Sequence, residues 1–428
     1  MMERRRFLAS AVGVAGLPAV ESRAAQARFS ATGPRDEAYW QGLAAQFDQP
    51  PDVIQLEHGN WGAMARPVRQ AYARMVERVN RDTSLYARTT MGADLEGVRR
   101  GVADLLGVGP GEVALTRNAT EALTTLIMGY RGLRPGDAVL YADHDYDAMQ
   151  HCMAALGALR GVEVIRIALP HPASHQQLID GYAAALAAHP NVRLLLLTHL
   201  GHRSGLVLPV AEIVRLARAR GAEVIVDAAH SLGQLDFTVP QIEADFVGVN
   251  LHKWIGAPLG VGAMIVRGGR HREFARHPAA DPAEPDGIDA LVHTGTIDFA
   301  AVLTVPRAIA FQNAIGAEAR AARLRALRDR WVLPLREHRG IDILTPDDPS
   351  LHGAITAFRI KGSPGLADHQ RLAARLLDEF RIFTVVRQGL DQGACIRVTP
   401  ALANNLADCD RLAQALQALV PTPGRSAR

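Results

Sequence analysis

The sequence predicts an α/β protein: a large domain on a mostly parallel sheet, followed by a smaller α+β domain. Three observations carry this. From about Gly111 short apolar runs alternate with longer amphipathic stretches, the pattern of strands joined by helical crossovers. The runs are almost continuously apolar, as strands buried on both faces must be. After about Val305 the texture changes to a long helical stretch and then a sparser mixture of strands and helices.

The runs are Glu112–Thr116, Ala138–Tyr141, Val162–Ile167, Arg193–Thr198, Glu223–Val226, Phe246–Asn250 and Gly262–Val266. Gln176–His189 and Val210–Arg220 show helical periodicity between them. One helical stretch is expected from about Val305 to Gly340, then strands at Ile355–Ile360, Phe383–Val386 and Ile396–Val398. The resulting division is a leader over 1–27, an N-terminal segment over 28–75 packed on the small domain, a large ligand-binding domain over 76–305 and a small C-terminal domain over 306–428.

The leader reads Arg4-Arg5-Arg6-Phe7-Leu8, then an apolar stretch from Ala9 to Val20, then Ala25-Gln26-Ala27. A basic head, a short apolar middle and a small-x-small end form an export signal. The middle is too short to span a bilayer. The Arg-Arg-x-Phe-Leu order resembles a twin-arginine signal, whose export machinery moves folded proteins, so a periplasmic destination is expected. With 47 basic and 44 acidic residues mixed along the chain, no basic stripe points to nucleic acid. The three cysteines, Cys152, Cys395 and Cys409, form neither a disulfide framework nor a metal motif.

The chemistry gathers at strand ends, where open α/β sheets bind ligands. Val224-Ile225-Val226 ends in Asp227, followed by Ala228-Ala229-His230. Phe246–Asn250 runs into Leu251-His252-Lys253. A lysine after a buried strand must have its charge compensated or lose it. Desolvation favours the neutral amine, which forms an imine with an aldehyde. A carboxylate one crossover earlier suits a pyridinium nitrogen, and so an aldehyde cofactor of the pyridoxal type. Glu112–Thr116 leads into Arg117-Asn118-Ala119-Thr120, with Asn118 as an N-cap and a helix N-terminus ready for a phosphate. Tyr141-Ala142-Asp143-His144-Asp145-Tyr146 offers aromatic rings to a planar ligand.

The segments VDAAHSLGQ and NLHKWIGAPLGVGAMIVR resemble the class V aminotransferase family of fold-type I enzymes dependent on pyridoxal 5′-phosphate (PLP), and within it the isopenicillin N epimerase-like branch. The resemblance runs from Leu56-Glu57-His58-Gly59-Asn60 to Asp408-Cys409-Asp410. It implies that Lys253 holds the cofactor as a Schiff base and moves protons at the substrate α-carbon, while Asp227 pairs with the ring nitrogen. Ala119, Thr120, His252 and Asn250 would hold the phosphate. Tyr146 would stack on the ring, or His144 if the loop is shifted. His202 stands where the family often has Asn near the ring hydroxyl, and His230 beside the same oxygen. His293-Thr294-Gly295-Thr296 resembles the family's Gly-Thr turn, whose threonine reaches the phosphate of a neighbouring subunit, which implies a homodimer. Arg397 would bind the substrate α-carboxylate, with Asn60 also at the substrate.

The expected activity is thus a transformation of an amino acid, free or within a small peptide, by an aminotransferase or an epimerase-like enzyme. A PLP-dependent C–S or β-lyase is one alternative, and a catalytically silent binding module of the same fold another. A cysteine desulfurase is disfavoured, because Cys395 lies two residues before Arg397 in an expected strand. Gly107-Val108-Gly109-Pro110-Gly111 precedes a strand instead of following one, which argues against a dinucleotide fingerprint.

Overall fold

The structure, a computed structural model, describes residues 33–283, 285–363 and 365–420. The leader over 1–27 therefore lies outside the described residues. The large sheet has seven strands: β2 (Val113–Thr116), β3 (Ala138–Ala142), β4 (Glu163–Ile167), β5 (Val192–Thr198), β6 (Glu223–Asp227), β7 (Phe246–Asn250) and β8 (Gly262–Val266). Their order is β2-β8-β7-β6-β5-β3-β4. Only β8 runs against its neighbours β7 and β2, so the sheet is mostly parallel.

The near-continuous apolar runs have a direct cause. Successive side chains alternate across a strand, and here both faces are covered. Leu195 and Leu197 enter one core with Val224, Val226, Val247 and Val249. Leu194 and Leu196 enter the other with Val139, Ile225, Phe246 and Met264. The helices α2 (Arg66–Thr89), α3 (Met91–Leu106), α4 (Ala119–Gly129), α5 (Asp147–Arg160), α6 (His175–Ala188) and α7 (Val210–Arg218) belong to these layers, after a short α1 (Glu37–Ala44).

The small domain carries an antiparallel sheet, β12 (Val385–Arg387), β13 (Cys395–Val398), β10 (Thr356–Ile360) and β9 (Ile341–Ile343), in that order. With α9 (Ala317–Val332), α10 (Leu366–Phe380) and α11 (Leu406–Leu419), it has its own core around Trp331, Phe358, Ile396 and Leu412. The N-terminal strand β1 (Ile54–Gln55) pairs in parallel with β11 (Ile382–Phe383). Beyond it the Thr399 amide donates to the Leu56 carbonyl (2.8 Å).

Two expectations are corrected. The single helix from Val305 to Gly340 is α8 (Phe299–Ile315) and α9, broken at Gly316, whose φ of 90° no right-handed helix allows. The Phe383–Val386 run feeds two sheets, because Thr384 separates β11 from β12. Strands β1 and β9 were too short to leave a periodic signal. Among the described residues no single helix is long and apolar enough to cross a membrane.

Candidate active site

A cavity of about 710 Å³ opens where the carboxyl ends of the large-sheet strands face the small domain. The large domain contributes Thr120, Tyr146, His202, Asp227, His230, Asn250, His252 and Lys253, the small domain Arg387 and Arg397, and the N-terminal segment Gly59 and Asn60.

The phosphate end is set by α4. The Asn118 side chain accepts the Glu121 N–H (2.8 Å) and fixes the first turn. Ala119, Ala122, Leu123, Leu126 and Ile127 form the buried face, at the spacing that an amphipathic helix requires. Glycine at 248 lets this face close on β7, since a Cβ there would lie 2.6 Å from Leu123 Cγ. That approach brings Asn250, two residues on, to the helix start, where its Oδ1 accepts the Ala119 N–H at 2.9 Å. Ala119, expected at the phosphate, lines the cavity with its amide engaged by Asn250 in this structure. The remaining donors are the first-turn Thr120, the Asn250 amide nitrogen and His252. The His252 Nδ1 lies 2.9 Å from the Val261 carbonyl, which orients the ring.

Lys253 Nζ sits 2.9 Å from His230 Nε2. Burial, opposed by Asp227, lowers the Lys253 pKa from 10.5 to about 8, and Arg397 and Arg387 push the same way as burial. Asp227 is buried, and its Oδ1 accepts the Ala229 N–H (2.9 Å). Burial raises its pKa, while that N–H and Lys253 pull it down. His230 and His202 are both held well below the ordinary histidine range, chiefly by burial and then by neighbouring cations. The loop Gly59-Asn60-Trp61-Gly62 lies directly on Lys253. A Cβ at Gly62 would stand 1.8 Å from the Lys253 carbonyl oxygen, so only glycine fits.

Tyr146 lines the cavity and meets the His202 ring edge-on at 5.2 Å. His144 is fully buried behind it, with Nε2 3.2 Å from the Leu206 carbonyl, so Tyr146 is the ring available for stacking. Arg203 ties this loop to the small domain: it donates to the Asp143 and Asp145 carbonyls (2.9 and 2.7 Å), pairs with Asp147 and donates to the Gln388 carbonyl.

Arg397 has a partner the sequence did not reveal. Glu57 accepts from its Nε (3.2 Å) and its Nη2, and the His202 carbonyl accepts from Nη1 (2.7 Å). A Cβ at Gly59 would lie 2.8 Å from the guanidinium carbon, so the glycine packs against that group. Glu57 does not line the cavity, whereas Arg397 does; the carboxylate holds the arginine from behind. Arg387 Nη2 is 3.7 Å from the same Glu57 oxygen. Two arginines thus share one carboxylate, leaving a surplus positive charge that a ligand carboxylate would balance. Arg387 and Glu57 were missed: Glu57 is one residue in a plain stretch, and Arg387 ends a weak strand. Thr296 is exposed and away from this chain's cavity. None of the three cysteines lines the cavity. Burial pushes the Cys395 thiol up to about 11, among Leu344, Ala357 and Leu390.

The set fits PLP. A lysine of lowered pKa can hold an aldehyde, a buried carboxylate lines the same cavity and would pair with a ring cation, and a helix N-terminus with amide and imidazole donors suits a phosphate.

The comparisons with known proteins agree. The aminotransferase class-V family model matches residues 64–412. Isopenicillin N epimerase of Streptomyces clavuligerus is 31% identical over 398 residues, covering 89% of this chain and 98% of the relative. Putative L-cysteine desulfhydrase 1 of Oryza sativa subsp. japonica is 30% identical over 289 residues, covering 63% of this chain and 60% of the relative. A solved structure of a C-DES mutant, with glycine covalently linked to its PLP cofactor, superposes with a TM-score of 0.74 at 21% identity, covering 87% of this chain and 98% of the other, and shows the shared fold. The chain belongs to the class-V aminotransferase family, in its isopenicillin N epimerase-like branch, and is a PLP-dependent enzyme.

Proposed function

We propose that this enzyme acts on the α-carbon of an amino acid, free or within a small peptide, as an aminotransferase or an epimerase-like enzyme. The observation that carries the reading is Lys253, lowered in pKa, in one cavity with two arginines that share a single carboxylate. Bound PLP supplies the electron sink for charge developing at that carbon. Asp227 keeps the ring nitrogen protonated. Thr120, Asn250 and His252 hold the phosphate, and Tyr146 stacks on the ring. Arg397 and Arg387 seat the substrate carboxylate, with Asn60 at the rim. Lys253 takes the α-proton and can return it. His202 and His230, both neutral through burial, would stand beside the ring hydroxyl.

A C–S or β-lyase is the second reading, favoured by the desulfhydrase relative. Sulfur transfer through an enzyme persulfide is not favoured, since no cysteine lines the cavity. The deciding experiment incubates the enzyme with a panel of amino acids and small peptides. It scores keto acid, inverted stereocentre and released β-fragment separately; a β-fragment alone would overturn the primary reading. Lys253→Ala should lose the yellow colour of the loaded protein, and a colourless wild type that PLP cannot reconstitute would overturn the assignment.

Two further parts of the reading concern the whole protein. The Thr296 turn completes the phosphate site of a second copy, so the working unit is a homodimer. The leader directs export of the loaded, folded protein to the periplasm. Cell fractionation of a variant with Arg4 and Arg5 replaced by lysine tests this, with retention in the cytoplasm as the expected result.

A further inference from the structure

We propose that Trp254 is a positioning residue: it locks His230 in its Nε2–H tautomer, and this favours the unprotonated amine of Lys253, the form that captures the cofactor. The inference rests on the reading of Lys253 as the PLP lysine. The Trp254 indole Nε1–H lies 3.4 Å from His230 Nδ1. An indole nitrogen can only donate, so Nδ1 must present its lone pair. A neutral imidazole then carries its single proton on Nε2, which is the atom 2.9 Å from Lys253 Nζ. An ammonium has no lone pair to accept that proton. The chain of contacts Trp254–His230–Lys253 is therefore satisfied only when the lysine is neutral.

The surroundings hold this geometry in place. Gly233, at φ 90°, lets Trp254 pack against the turn after β6; a Cβ there would lie 2.7 Å from Trp254 Cβ. The Gly233 carbonyl accepts from Arg320 Nε (2.6 Å). The His230 carbonyl accepts from Gln234 Nε2 (2.7 Å), whose Oε1 accepts the Ala354 N–H (3.0 Å). Both partners of the Trp254–His230 bond are thus anchored independently. Around Lys253, Asp227 and Glu57 favour its charged form, while burial, Arg397 and Arg387 oppose it. His252 and His202 line the same cavity, and burial lowers both of their pKa values.

In the capture step the Nζ lone pair attacks the aldehyde carbon. The two amine protons leave with the aldehyde oxygen as water, and a C=N bond remains. With phenylalanine at 254, Nδ1 is free to take the proton and Nε2 can accept from an ammonium. The charged lysine then gains a hydrogen bond, and capture shifts to higher pH.

The test uses the full chain stripped of cofactor. The rate at which the Schiff-base absorption appears on adding PLP is measured against pH for wild type, Trp254→Phe, His230→Ala and the double variant. Trp254→Phe should move the midpoint up by about one pH unit, a roughly tenfold loss of free amine below it. The same change in the His230→Ala background should move nothing. An unchanged midpoint, or an equal shift without His230, overturns the proposal. Should Trp254→Phe fail to fold, nitrogen NMR of labelled histidine in the wild type decides the tautomer directly. Nδ1 without a proton is expected, and a protonated Nδ1 overturns it. A wild type that captures no PLP would instead overturn the cofactor reading, and the nitrogen spectrum would still report the tautomer.

Discussion

At the residue scale, the carboxylate seat and the lysine rest on charge balance. Arg387 is partly exposed while Arg397 is fully buried and backed by Glu57, and both line the cavity. Arg387→Gln should therefore raise KM about 10- to 100-fold, the loss of a charge-assisted hydrogen bond of roughly 1.5–3 kcal/mol, with a smaller effect on kcat. Glu57→Ala should act differently, because it strands a buried arginine. The expected loss is about 3–5 kcal/mol of folding stability, read by chemical denaturation. Lys253 links stability to pH. Its pKa falls from 10.5 to about 8 on folding, so between those values the unfolded chain holds a proton that the folded chain has shed. Stability of the cofactor-free protein should then rise with pH from about 8 to about 10.5, by roughly 3 kcal/mol, the cost being fully present below that window. Lys253→Met should remove the rise.

At the scale of elements, glycines decide which segments approach the site. The loop from Gly59 to Gly62 lies on the Lys253 backbone because position 62 lacks a Cβ. Gly62→Ala must move that loop, and we expect a loss of about 1–3 kcal/mol together with weaker PLP retention, checked by thermal melting and by absorbance after dialysis. Gly97 in α3 is the contrast: a Cβ there meets nothing within 4 Å. Gly97→Ala should stabilise by about 0.5–1 kcal/mol and leave PLP retention unchanged. Six of the seven large-sheet strands were legible because they are apolar on both faces, and the edge strand β4, which exposes Glu163 and Arg166, because Val164, Ile165 and Ile167 still form a short apolar run. The break at Gly316 was not, because good helix formers flank it on both sides and only the backbone turn at Gly316 separates the apolar α8 from the charge-rich α9.

At the scale of the whole molecule, the cavity belongs to three parts of the chain. Residues 56–62 join it through β1, which pairs with β11, while Arg387 and Arg397 come from the small sheet. The proposed dimer adds Thr296 from a second copy. Lys253→Ala and Thr296→Ala subunits should each load PLP poorly. Mixed under conditions that exchange subunits, they should recover one complete site per mixed dimer. No recovery, with exchange shown by tagged subunits, would argue against a shared phosphate site.

The sequence by itself determined the layered α/β architecture, the lysine and carboxylate at strand ends, and the N-capped helix after β2. Each is a local pattern: an apolar run with a polar end, or a cap followed by an amphipathic face. Only the tertiary structure decided that Glu57 backs Arg397, that Arg387 joins it, that Asn250 takes up the Ala119 amide, that Tyr146 and not His144 faces the cavity, and that Trp254 faces His230. These pairings join residues distant in the chain, or depend on which way a loop side chain turns. Side-chain periodicity carries no record of either, because charge pairing and close approach are settled by packing after the elements have formed.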